Sequence, residues 1–144
     1  MSKTRSAVKL ENVSKSFGTV QAVKNLDLQI DAGTVFGFLG PNGSGKSTTM
    51  KMIMGLLKAD SGKLTVHGTD VSANPWEIKK IVGYVPESPR LYEFLTGLEY
   101  LDFIADVYGL ETETKKTRIE EYLGAFELEN RENEMISGYS HGMK

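Results

Sequence analysis

The stretch Gly40-Pro41-Asn42-Gly43-Ser44-Gly45-Lys46-Ser47-Thr48 constrains this chain more than any other part of it. It is a complete GxxxxGKS loop. A short apolar run, Thr34-Val35-Phe36-Gly37-Phe38-Leu39, precedes it, and a segment of helical composition, Thr48 to Leu57, follows. Strand, glycine-rich loop and helix in that order predict a cradle for a polyphosphate, and hence an ATP or GTP site. Glycines 40, 43 and 45 let the backbone turn tightly and keep side chains away from its N–H groups, so the amides through Asn42 and Ser44 become the cradle. A helix starting near Lys46 or Ser47 aims unpaired N–H groups and its positive end at the same anion. Lys46 then reaches the β- and γ-phosphates, the Ser47 hydroxyl ligates the accompanying Mg2+, and Thr48 supports the loop. The plain alternative is a glycine-rich turn that binds nothing.

Seventeen Lys and Arg against nineteen Asp and Glu leave a net charge of −2 over 144 residues, so the overall field gives no reason to expect nucleic acid as a partner. The absence of cysteine excludes a disulfide framework and a thiolate metal site. Met1-Ser2-Lys3-Thr4-Arg5-Ser6 is basic but leads into Val8-Lys9-Leu10-Glu11-Asn12 rather than a long apolar core, and so does not read as a secretion signal. No window approaches the roughly 18 uncharged apolar residues of a membrane span. Docking onto a protein that does span a membrane stays open.

Composition is strand-rich over about residues 7–85 and helical from Leu91 onward. In the first part, strands are expected at Ala7–Val13, Val20–Val23, Leu26–Ile30, Thr34–Leu39, Gly62–Val66 and Ile81–Val85. Leu26, Leu28 and Ile30 alternate with Asp27 and Gln29, as in a half-exposed antiparallel strand, whereas Thr34–Leu39 and Ile81–Val85 lack alternation and suit a central sheet covered on both faces. His67-Gly68-Thr69-Asp70 reads as a tight hairpin turn, and Trp76 after Pro75 as packing at a helix start. In the second part, Leu95, Leu98, Leu101 and Ile104 recur at helical spacing behind Thr96 and Glu99, which suit an N-cap and its capping box, and Gly109 is a stop. A further helix is expected from Thr112 to Leu123, its acidic face a solvated surface or else a partner-contact surface.

The phosphate loop, then Tyr84-Val85-Pro86-Glu87, a helical insert and Ser137-Gly138-Tyr139-Ser140-His141-Gly142-Met143-Lys144, together resemble the ATP-binding subunit of an ABC transporter over essentially the whole chain. Leu91-Tyr92-Glu93-Phe94-Leu95-Thr96-Gly97 is most similar to subunits serving ABC-2-type exporters. The resemblance implies an α/β fold: a P-loop NTPase, RecA-like core with an antiparallel β-subdomain and a partial α-helical subdomain, truncated after the signature. Together with the composition it implies residues 1–87 as a nucleotide-binding core with an antiparallel β-subdomain and residues 88–144 as a helical subdomain. It implies Phe17 as the aromatic platform for the adenine, against an ordinary core aromatic at a turn. It implies Glu87, where most of the family carries glutamine, as a group coupling Mg2+ and the attacking water to the membrane partner, against a surface acid after Pro86.

The signature departs from the usual LSGGQ text but keeps Ser140, a donor to the γ-phosphate held by an opposite subunit, and Gly142, which permits close backbone approach. Lys46, Glu87 and Ser140 are thus the candidate catalytic groups, Ser47 and Glu87 the candidate metal ligands. The implied assembly is a head-to-tail dimer of ATP-binding subunits on a separate multi-span membrane subunit, peripheral on the cytoplasmic face and powering export. In the family the general base and a further central strand follow the signature, so the resemblance leads us to expect little ATP turnover from these 144 residues alone and unpaired sheet edges. A soluble ABC-type ATPase and a nucleotide-binding fragment without turnover are the alternatives. His67 and His141 read as structural or exposed, and Leu91, Tyr92, Phe94 and Leu95 either as core or as a groove for a helix of the membrane subunit.

Overall fold

The computed structural model describes residues 6–86 and 88–144. The chain forms two compact units, the first ending at Tyr84 and the second running from Val85 to Lys144.

The first unit is built on β1 (Ser6–Phe17), β2 (Val20–Asp31), β3 (Ser61–Val66) and β4 (Thr69–Asp70), an antiparallel sheet in the order β2-β1-β3-β4. The two apolar runs expected as separate strands between Val20 and Ile30 join into one. Asn25 sits at φ 42 where the register with β1 slips, and Ser14 absorbs the irregularity: its Oγ accepts from Asn25 N (2.9 Å) and donates to Asn25 Oδ1 (3.0 Å). A bulge whose polar groups are satisfied bends a strand without ending it. His67 and Gly68 take φ 46 and φ 83, the mirror-image turn that matches strand twist.

α1 (Lys46–Ile53) and α2 (Pro75–Ile81) cover one face of the sheet. Leu10, Val13, Val23, Leu64 and Val66 from the strands, Val71, and Met52 and Ile78 from the helices form the core. α1 stops short of Leu57 because Gly55 turns left-handed (φ 66) and the N–H groups of Leu56 and Leu57 return to Lys51 O at 2.9 and 3.2 Å. α2 carries Pro75 in its first turn, a signal the hydrophobic pattern alone does not weigh.

Two expected strands are not formed. Ile81 closes α2, and Val82–Val85 follow without a ladder partner. Thr34–Leu39 is likewise unladdered, with Val35 and Leu39 at 105% and 93% relative exposure. Apolar composition favours burial, but a central strand also needs neighbours to take its backbone N–H and C=O groups, and among the described residues none pairs with either segment.

In the second unit, α3 (Gly97–Val107) begins with the expected capping box: Glu99 N donates to Thr96 Oγ1 (3.2 Å) and Thr96 N to Glu99 Oε2 (2.8 Å). Gly109 ends the turn beyond it at φ 66. α4 (Thr112–Ala125) is tied to α3 by Lys115, whose ammonium lies 2.6 Å from Asp102 and 2.7 Å from Asp106; hydrogen bonds to these carboxylates hold it above the usual lysine range.

The stretch leading to the signature is pinned to the stretch leading to α3. Ile136 N donates to Leu95 O (2.9 Å), Ser137 N to Glu93 O (3.0 Å), and Tyr139 Oη to Arg131 O (2.7 Å). Tyr139 is buried, which pushes its phenol up, aided by the Glu134 carboxylate. The ring packs so closely over Gly97 that a Cβ there would strike Tyr139 Oη.

Candidate nucleotide site

Gly45, the cap of α1, is left-handed (φ 85) and lies flat against β2: a Cβ there would run into the Ala22 carbonyl, with Val23 Cγ2 at 3.1 Å. The glycine requirement therefore comes from a strand backbone as well as from room for a ligand, a contact that loop spacing does not disclose. A Cβ on Gly40 would meet Ser44 Oγ at 2.7 Å, whereas Gly43 (φ 82) faces open space. Ser44 N closes the turn onto Pro41 O (3.3 Å), and Thr49 N starts the helical bonding to Gly45 O (2.8 Å). Asn42 is exposed on the loop.

Lys46 folds back along the loop, its Nζ donating to Gly40 O (2.6 Å) and Pro41 O (2.7 Å), and pairs with no carboxylate among the described residues. Its charge is therefore held at the loop without being neutralised. The end of α1 it stands on has no side-chain cap and no acid in its first turn. A lysine charge, an uncapped helix start and an open glycine turn attract an anion with several oxygens, so the donor set fits a polyphosphate. Ser47, exposed at the second helical position, is placed to offer a hydroxyl to a cation that accompanies it, and Thr48 is half-buried beside it.

Phe17 ends β1 and pairs with Val20, two residues before the carbonyl that Gly45 rests on. At about 3.3 Å per strand residue, the hairpin brings the aromatic to within a few residues of the loop, although the loop follows it by more than twenty positions in sequence. The ring is half-exposed. Lys15 Nζ stands 5.6 Å from its centroid, and Asp60, just ahead of β3, holds that same ammonium. Neither Lys15 nor Asp60 is suggested by any motif in the sequence.

Ser140 and Gly142 belong to the second unit and are exposed. Ser140 Oγ accepts from Met143 N (3.3 Å), the bond of a helix N-cap, so the serine initiates the turn His141–Met143. Among the described residues nothing lies within 4 Å of where a Cβ on Gly142 would stand, so none of them demands a glycine there. Lys144 Nζ is anchored 2.6 Å from Glu93. Glu87 lies outside the described residues. Trp76, expected to pack a helix start, instead stands exposed in the first turn of α2 with Lys79 Nζ 4.4 Å from its ring, because α2 turns Ile78 to the core. Tyr92 and Phe94 are surface aromatics, their rings 5.9 Å apart, with Leu91 and Leu95 half-buried. Among the described residues no helix is long and apolar enough to cross a membrane.

Comparison with known proteins agrees with this geometry. The family model described as "ABC transporter" matches residues 23–144. The linearmycin resistance ATP-binding protein LnrL of Bacillus subtilis is 40% identical over 93% of this chain and 43% of its own length. The bacitracin transport ATP-binding protein BcrA of Bacillus licheniformis is 34% identical over 95% of this chain and 44% of its own. This chain thus spans under half the length of these relatives. A solved structure of an ATP-binding subunit of an ABC transporter superposes with TM-score 0.82 at 31% identity, covering 95% of this chain and 57% of that one. The fold is accordingly that of a P-loop NTPase-like core with an antiparallel sheet and a helical subdomain.

Proposed function

Because this chain belongs to the ABC transporter family and matches its ATP-binding proteins along nearly all its length, we propose that it binds MgATP in a subunit that hydrolyses ATP to drive export through a separate membrane subunit. The observation that carries the reading is the unneutralised Lys46 ammonium held over an uncapped helix start and an open glycine turn. Lys46 and the backbone N–H groups of Gly40, Asn42, Gly43, Ser44 and Gly45 hold the phosphates, Phe17 stacks the base, and the Ser47 hydroxyl and the Glu87 carboxylate ligate the metal. Bound Mg2+ would supply neutralisation of charge on the phosphate oxygens. Ser140 and Gly142 face the nucleotide of a second ATP-binding subunit in a head-to-tail dimer, which accounts for a glycine at 142 that no described residue of its own unit requires.

Export is supported by relatives whose names state resistance or transport, among them the daunorubicin/doxorubicin resistance ATP-binding protein DrrA of Streptomyces peucetius, and an ABC-2-type partner by the Leu91–Gly97 text alone. In this reading the protein is peripheral on the cytoplasmic face of the membrane through its partner.

The test is a calorimetric MgATP titration and a phosphate-release assay on the full-length protein and its Lys46→Ala variant. Loss of a charged donor to the phosphates should weaken binding by at least ~10-fold and abolish turnover. Tight MgATP binding retained in the variant would overturn the assignment.

A further inference from the structure

β1 outlasts its neighbour on one side. Its last partner on β3 is Ser14, opposite Ser61, while Lys15, Ser16 and Phe17 continue against β2 alone. The free edge of these three residues is closed by a side chain instead of a strand. Asp60, the residue before β3, accepts from Ser16 N through Oδ2 (2.7 Å) and from Lys15 Nζ through Oδ1 (2.6 Å), and its own N–H donates to Ser14 O (2.9 Å). Lys15 is thereby held with its side chain only 15% exposed, its ammonium over the Phe17 ring.

We propose that Asp60 is a positioning residue for the nucleotide base: by clamping Ser16 and Lys15 it fixes the end of β1 so that Phe17 keeps one face under the Lys15 ammonium and offers the other to the base. The proposal rests on the reading of Phe17 as the base platform. Its physical content is pre-organisation. An unclamped three-residue strand end with one neighbour samples several ring orientations, and each must be given up when a base stacks on it. The Lys15 ammonium occupying one face also leaves the incoming base a single side on which to stack.

Because Asp60 acts through the aromatic, its removal should be felt by nucleotides and not by a phosphate chain that lacks a base. The experiment measures magnesium-dependent affinity of ATP and of inorganic tripolyphosphate in the full-length protein, for Phe17→Ala, Asp60→Ala, the double variant, and Asp60→Asn, which keeps an acceptor for Ser16 N but loses the charge that holds Lys15. Phe17→Ala should weaken ATP by ~5- to 150-fold. Asp60→Ala should weaken ATP by a fraction of that, about 3- to 10-fold, with Asp60→Asn between it and the unchanged protein. Tripolyphosphate affinity should stay the same in all four, and Asp60→Ala should add nothing in the Phe17→Ala background.

An unchanged ATP affinity in Phe17→Ala would refute the platform reading itself. A normal Phe17 effect with unchanged ATP affinity in both Asp60 variants would refute the role of Asp60 alone. Equal losses of ATP and tripolyphosphate in the Asp60 variants would also overturn it, since they would show that Asp60 supports the whole unit and not the aromatic.

Discussion

The antiparallel sheet and the segment that leads into the phosphate loop both carry large apolar side chains, the segment proportionally more of them, yet meet opposite fates. Val13 in β1 is 0% exposed and Leu10 2%, whereas Val35 and Leu39 are almost wholly exposed. The difference lies in what stands beside each backbone. β1 has β2 on one edge and β3 on the other, so its side chains can turn inward with every peptide group paired along most of its length. Thr34–Leu39 has no ladder neighbour among the described residues. Hydrophobic text creates a demand for burial, and neighbouring strands decide whether that demand is met.

This contrast can be tested from its strongest side first. Leu10→Ala removes a fully buried side chain from between α1, α2 and the sheet and should cost about 2–5 kcal/mol in denaturant unfolding. Gly62→Ala comes next. Gly62 is left-handed (φ 88) where β3 meets β1, and a Cβ would collide with the Asn12 carbonyl, so about 1–3 kcal/mol of backbone strain is expected in the same measurement.

A smaller effect is expected from acid. The hydrogen bond from Lys15, then that from Ser16 N, holds the Asp60 carboxyl below its usual range. A depressed carboxylate stabilises above its unfolded value and loses that contribution as pH falls through the folded one. The stability difference between the unchanged protein and Asp60→Asn should therefore persist at neutral pH and close only below the ordinary carboxylate range; a gap that stays open there would remove the ion pair from the account. The smallest expected effect is Val35→Ala, within about 0.5 kcal/mol in this chain because none of the described residues covers the side chain. Should Val35→Ala cost as much as Leu10→Ala, the comparison breaks and a packing partner for the segment must exist.

Elements that depend on local chemistry were legible from residue types. Thr96 and Glu99 cap α3 because both bonds of the box lie within four residues, and Gly109 ends its last turn because a left-handed position favours glycine. The loop Gly40–Ser47 could be read for the same reason, since phosphate chemistry requires those residue types at that spacing. The segments expected as central strands, Thr34–Leu39 and Ile81–Val85, are mostly apolar but depend on partners distant in sequence, and the first residue of the second, Ile81, belongs to a helix opened at Pro75.

What the sequence alone determined about this protein is a phosphate-binding loop on the start of a helix, a capped helical subdomain and the order of motifs along the chain, because each is set by interactions spanning a few residues. The three-dimensional fold alone decided that Gly45 must clear the carbonyl of Ala22, that the β1–β2 hairpin brings Phe17 within a few residues of the strand position on which the loop rests, and that Asp60 closes the end of β1. These depend on strand register and on where one strand outruns another. Both are fixed by contacts between residues far apart in sequence, which no local pattern of residue types encodes.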